Sequence, residues 1–406
     1  MRKLRDGDSW CSEALPVLQL CAIDKPLFPN LKTLRLWGIM EEFIPFIPSF
    51  LSPRTTAIDI TLQRTNPPKE IVTSVIATLP TLCPDLQHIT LSSLPREPMI
   101  TVAASGTFLA SNQDALRCFH VDSPLTAEAR EVVCKHPDLR ELLVVIEGST
   151  PLPTLALPNL TKMEIKYDHD SNWLQGFHGA ALGKLASITF YSNYEPIGDF
   201  LEAFKRVALT ASIPATLLTF KFHNPREWKL DYRSLLPFIQ LTELTVGFSC
   251  VHSCSSTIDD DIITTVAQTM SRLEILCLGG DPCRTPTGVT AKGLSALAYH
   301  CPRLYSLRIH FQVASLDPLA IPRVISGGEP TIPREDCALR HLFVGEMPIP
   351  GESTLAVART LIRIFPRISY VHSTWGGDWD KVSRAVQDQE NRRSLGSEMP
   401  PLHTSR

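Results

Sequence analysis

The stretch LFPNLKTLRLWG, Leu27 to Gly38, has relatives along nearly the whole chain: CPDLQHITL at 83–91, HPDLRELLVVI at 136–146, LPNLTKMEI at 157–165 and CPRLYSLRIHF at 301–311. Each carries apolar residues in the form L-x-x-L-x-L, and about thirteen copies align. Their leading positions are Leu31, Thr55 (the poorest match), Leu86, Leu116, Leu139, Leu160, Leu185, Leu217, Leu241, Leu273, Leu304, Leu339 and Ile368. Successive leads stand about 21 to about 35 residues apart and average about 28. A unit of that size cannot bury its apolar face alone, so neighbouring units must stack and share one continuous core.

Within each copy the second and third apolar positions are two apart, as in Leu34 and Leu36. That spacing places them on one face of a short strand and turns the intervening residue outward. Six copies carry proline two residues before the lead: Pro29, Pro84, Pro137, Pro158, Pro302 and Pro366. There it ends a preceding helix and sets an extended approach to the strand. Helical spacing marks 70–79, 126–135, 199–209, 259–270, 290–300 and 353–365, with Thr126, Asp199 and Ser353 as expected N-caps. The intervals before Leu160 and Leu185 are short and hold little helix, and the proline-rich 312–338 reads as a loop excursion. Strand then helix, repeated, predicts an α/β fold: an irregular leucine-rich-repeat solenoid, a horseshoe of the ribonuclease-inhibitor type. Parallel strands would line its concave face, and helices and turns its convex face. The expected organisation is an N-terminal cap over 1–26, a repeat domain over 27–376, and a C-terminal cap helix with a disordered polar tail over 377–406. The tail should begin near 385, where the apolar rhythm ends.

A formal charge of −3 supplies no basic field for phosphate backbones, so no nucleic-acid partner is expected. No run approaches the roughly 18–20 apolar residues of a membrane span, and the N-terminus is unlike a secretory signal. Eleven scattered cysteines, several at strand or helix positions, read as reduced thiols in the cytoplasm or nucleus. Constellations with catalytic or metal-binding spacing are weak. CVHSC at 250–254 holds zinc-type ligands without a second pair at finger spacing. Asp168, His169 and Asp170 lack the carboxylates and glycine turn of a cation loop. Asp259, Asp260 and Asp261 read as a helix cap, and GGDPCRTPTG at 279–288 lacks the lysine of a phosphate loop. The expectation is therefore no enzyme, no cofactor and no bound metal.

The residues between core positions carry the binding expectation. By this register Arg35, Trp37, His120, Glu164, Lys166, Tyr191, Lys221, His223, Arg308, His310, Phe343 and His372 face outward. Arginine and aromatic residues are types enriched at interface hot spots. The patch Arg308, His310, Phe343 and His372 is the expected partner contact.

LFPNLKTLRLWG, CPDLQHITL and CPRLYSLRI resemble the leucine-rich part of fungal F-box proteins, particularly the mushroom-type families, over most of residues 15–375. The resemblance implies a substrate-recognition module of an SCF-type ubiquitin ligase, monomeric outside its complex, with the substrate protein unidentified. Residues 1–26 show no L-P-x-E-[IL]-L opening, so adaptor and cullin are expected as partners only if an F-box lies upstream. A ligase-independent interaction scaffold is the alternative. The family's asparagine after the last strand leucine is matched only by Asn193, which puts regular curvature in question.

Overall fold

A computed structural model describes residues 26–39, 41–62, 69–93, 108–109, 115–146, 152–167, 171–192, 197–211, 213–224, 232–248, 258–279, 287–313, 316, 336–344, 349, 353–373 and 377–394. Its strands are β1 (Thr33–Ile39), β2 (Ala57–Leu62), β3 (His88–Ser93), β4 (Cys118–Pro124), β5 (Glu141–Ile146), β6 (Lys162–Tyr167), β7 (Ser187–Ser192), β8 (Thr219–Asn224), β9 (Glu243–Phe248), β10 (Ile275–Leu278), β11 (Ser306–Ile309), β12 (His341–Val344) and β13 (Tyr370–Ser373). They form one parallel sheet of 13 strands whose order is the order of the chain. Every strand begins two residues after an L-x-x-L-x-L lead. The leads themselves are sealed: Leu86, Leu116, Leu139, Leu160, Leu185, Leu217, Leu241, Leu273, Leu304 and Leu339 are all 0% exposed. Burying a leucine of this kind contributes about 1.5–3 kcal/mol.

Thr55, the poor match, is also 0% exposed. Its hydroxyl donates to the Leu31 carbonyl at 3.0 Å and accepts from the Ser52 amide at 3.1 Å, so a polar group fills an apolar place with its hydrogen bonds made.

The prolines do more than end helices. In five repeats the lead amide donates to the carbonyl three residues back, from Leu31 to Phe28, Leu86 to Cys83, Leu160 to Leu157, Leu304 to Cys301 and Ile368 to Phe365, at 3.0–3.1 Å. Proline occupies the second position of each of these four-residue turns, where its fixed φ is already the one required. The residue after the lead then offers one carbonyl to two consecutive amides of the next repeat. Lys32 accepts from Thr56 and Ala57, Gln87 from Arg117 and Cys118, Leu218 from Thr242 and Glu243, and Arg340 from Ser369 and Tyr370, all at 2.8–3.1 Å. Main-chain amides make this step at all four junctions, and the Thr56 and Thr242 hydroxyls add a bond to the same carbonyl at two of them, at 3.3 and 3.1 Å. Side chains just ahead of the leads add bridges: Arg54 to Asn30 at 2.8 Å, Lys184 to Asn159 at 2.7 Å and Arg272 to Gln240 at 2.6 Å.

The α-helices between strands are α1 (Ile47–Phe50), α2 (Lys69–Leu82), α3 (Ala127–Cys134), α4 (Ile197–Thr210), α5 (Asp260–Thr269), α6 (Ala291–His300) and α7 (Thr354–Ile364), with α8 (Asp378–Ser394) after the last strand. The short interval between β6 and β7 carries a 3-10 helix, Ser171–Phe177. Thr126 caps α3 by accepting from the Ala129 amide at 3.2 Å. Of the other two expected caps, one is misplaced and the other is in place without its cap bond. Asp199 lies inside α4, which starts at Ile197, and Ser353 takes a helical backbone at the cap of α7 and makes no side-chain cap bond. Asp259 caps α5 through the Ile262 amide at 2.9 Å.

Asp260, one residue on, serves the neighbouring helix α6: its Oδ1 accepts from the Thr290 and Gly293 amides at 2.7 and 2.9 Å, and its Oδ2 from the Thr290 hydroxyl at 2.6 Å. A Cβ at position 293 would lie 2.5 Å from that Oδ1, which is why glycine stands there.

The disordered tail expected from 385 is corrected by α8, which continues to Ser394. Trp379, Val382 and Val386 form a one-sided apolar stripe and are at most 3% exposed. The rest of that helix is strongly polar, and this hid the stripe.

The chain divides into two compact units, Met1–Tyr191 with Arg206–Thr216, and Ser192–Lys205 with Leu217–Arg406. In the first, Trp173 packs against Tyr167, Phe190 and Phe177 at 5.0, 5.9 and 6.2 Å between ring centroids. In the second, Phe204 lies 5.6 Å from both Phe220 and Phe238, and Phe200 5.1 Å from Phe222. No helix among the described residues is long and apolar enough to cross a membrane.

Candidate functional site

Because the lead and every second residue after its third successor point inward, the outward positions of each strand are the second and fourth residues after the lead. Six-residue strands add the sixth. Register pairing then lines these positions up from strand to strand, and two groups of side chains result, one in each unit.

In the second unit, His341 pairs with Tyr370, and Arg308 with Phe343 and then His372, across β11, β12 and β13. Parallel strands hold neighbouring rings roughly 4.8 Å apart, the spacing at which flat groups stack. His341 and Tyr370 stack at 5.2 Å with 6° between their planes, and Phe343 and His372 at 4.7 Å with 16°. The Arg308 guanidinium lies 5.0 Å over the Phe343 ring. Such contacts contribute about 0.5–1.5 kcal/mol each. Leu307, Leu342 and Val371 fill the inward side, so the rings stand on a rigid base. Tyr370 remains 45% exposed and His372 is exposed, leaving a flat aromatic surface edged by a fixed cation. The His372 pKa is lowered, by partial burial first and by the charge of His341 second.

In the first unit the corresponding positions hold Cys118, His120 and Asp122 on β4, Glu141 on β5, and Lys162, Glu164 and Lys166 on β6, with Leu143 the apolar exception among the second and fourth positions. Lys166 Nζ lies 2.6 Å from Asp122, Lys162 Nζ 2.7 Å from Glu164, and His120 Nε2 3.8 Å from Glu141. Burial lowers the His120 pKa despite the opposing pull of Glu164, so the neutral imidazole is favoured. For Lys162, burial alone would lower the pKa, but the hydrogen bond and charge of Glu164 raise it overall. Cys118, the register partner of Glu141, has its thiol pushed up to about 12, by burial and then by the Glu141 charge.

The remaining expected contact residues are dispersed. Arg35 Nε stands 4.0 Å from Asp59, and Trp37 on the same strand is 64% exposed. Tyr191 lies under Lys166 at 5.7 Å, Lys221 pairs with Glu243 at 2.7 Å, and His223 is half-buried on β8. His310 is a correction. It is 3% exposed, because β11 is a four-residue strand that ends at Ile309, and its carbonyl there accepts from the Thr287 hydroxyl. The sixth position is outward only where the strand is long enough to carry it, as at Lys166, Tyr191 and His223.

His341, Tyr370, Cys118 and Glu141 were not expected at a site. All four are the second residue after a lead, just ahead of the first strand leucine, and strand alternation alone points that residue outward. Asp259 and Asp260 are engaged in helix capping, as described above. The segments 250–254, 168–170 and 280–286 lie outside the described residues. No family model and no curated protein matches the sequence.

Proposed function

We propose that this chain is a leucine-rich-repeat module that binds a protein through the concave face of a horseshoe, and that it serves as the substrate-recognition part of an SCF-type ubiquitin ligase. The ligase role rests on the resemblance to mushroom-type F-box proteins. The observation that carries protein binding is the platform of Arg308, His341, Phe343, Tyr370 and His372, five side chains of hot-spot or stacking type brought together on three adjacent strands. Its chemistry suits a segment that lays a flat apolar side chain on the rings and sets a carboxylate against Arg308.

The test compares the unaltered chain with the combined Arg308→Ala, Phe343→Ala and His372→Ala variant as bait in native extract, with and without any upstream coding sequence. Proteins retained by the first bait and lost at least tenfold by the second support the platform. Adaptor and cullin recovered with the extended form support the ligase role. Specific partners with no ligase component in either form would make the module a scaffold, and identical partners on both baits would remove the platform from the reading.

A further inference from the structure

The polar group on β4 and β5 has a chemistry that protein binding does not use. Cys118 and His120 stand two apart on one strand, and therefore on one face, while Glu141 sits directly across from Cys118 on the next strand. One donor atom from each, a thiol sulfur, an imidazole nitrogen and a carboxylate oxygen, lies within 4.8 Å of the other two. His120 Nε2 is buried without a hydrogen-bond partner, and its nearest charged neighbour is Glu141 Oε2 at 3.8 Å. A buried polar nitrogen left unpaired is costly, so the site is incomplete as a hydrogen-bonded network. Lys162, which could have neutralised Glu141 across the next strand pair, is turned to Glu164 instead.

We propose that Cys118, His120 and Glu141 form a site for a zinc-class divalent cation. The donor set suits an ion of intermediate softness, which takes sulfur, nitrogen and oxygen together. In tetrahedral coordination, metal–ligand bonds of about 2.0–2.3 Å set donors roughly 3.4–3.6 Å apart. The present separations, none above 4.8 Å, exceed that spacing by at most about an ångström or slightly more. Three protein ligands leave a fourth place for water or for a donor from a bound molecule. Binding replaces the S–H bond of Cys118 with a sulfur–metal bond and releases that proton to solvent. The neutral His120 needs to lose none.

The experiment uses the full chain, stripped with chelator and titrated with Zn2+ and, separately, Co2+. The expected result is one equivalent bound, with a thiolate-to-cobalt charge-transfer band that disappears in Cys118→Ser. Affinity for Zn2+ should fall at least tenfold in both His120→Asn and Glu141→Gln. Glu141 is partly exposed, so Glu141→Gln carries the test should Cys118→Ser fail to fold. Cobalt binding without a thiolate band, a band that survives Cys118→Ser, or unchanged affinity in Glu141→Gln would each overturn the assignment. None of these readouts depends on the partner or on the ligase reading.

Discussion

The outward faces of β4–β6 and of β11–β13 rest on the same scaffold and carry opposite chemistry. Behind each stand sealed apolar residues, Leu142, Met163 and Ile165 in one and Leu307, Leu342 and Ile309 in the other, all at most 1% exposed. In front, the first region pairs charges at 2.6–2.7 Å and the second stacks rings at 4.7–5.2 Å. The fold therefore depends on the leads, the inward strand residues and the main-chain step between repeats, while the outward positions are free to carry function. Charge in the first region organises itself internally. The rings of the second keep a flat side open to whatever comes near.

The strongest check on that equivalence places a carboxylate behind the first face and on β10, the strand that pairs with β11 beside the second. Met163→Asp and Leu276→Asp, both at 0% exposed positions, should each cost about 4 kcal/mol or more in urea unfolding, whereas Arg308→Asp should cost under about 1 kcal/mol. A Leu276→Asp protein as stable as Arg308→Asp would mean that the register is shifted by one.

Next in size, Lys166→Met strands the Asp122 carboxylate, whose side chain is only 10% exposed, and should destabilise by about 2 kcal/mol. An unchanged melting temperature would show that pairing does not hold the first face together. Phe343→Ala removes the ring between Arg308 and His372 and should cost about 1 kcal/mol by the same unfolding assay. A loss equal to that of Leu276→Asp would make the platform part of the core.

The smallest effect is on pH dependence. His372 has a lowered pKa when folded, so between its ordinary value of about 6.5 and the folded value the unfolded chain binds the proton first. Stability should accordingly fall as pH drops below about 6.5, and His372→Asn should flatten that slope. The change is a few tenths of a kcal/mol, because solvent screens an exposed ring. A slope left intact by His372→Asn would assign it to other groups.

The strands were legible because lead spacing and strand start are the same physical event: the turn that seals the lead also delivers the next residue but one to the sheet. Thr55 shows the limit of apolar matching, since hydrogen bonds to Leu31 and Ser52 do the work of a methyl group there. The binding residues were read only in part. Counting outward positions between leucines finds Arg308, Phe343 and His372 but omits His341, Tyr370, Cys118 and Glu141, which come before the first of them. His310 failed for a different reason. Alternation predicts direction only while a strand lasts, and nothing local in CPRLYSLRIHF announces that this one stops at Ile309. Asp199, which falls inside α4, shows that residue type alone does not fix where a helix begins, and Ser353, which stands at the cap of α7 without a cap bond, shows that position alone does not make the cap.

Asp260 has a kinetic consequence. Its backbone belongs to α5, yet its carboxylate fastens the first turn of α6, and Gly293 keeps the gap between them too narrow for any side chain. If α5 frays, the amides of Thr290 and Gly293 lose their acceptor at the same moment. Hydrogen exchange should therefore report α5 and the start of α6 opening as a single event, with matched protection. The smallest piece that can leave this part of the molecule and return is a pair of repeats.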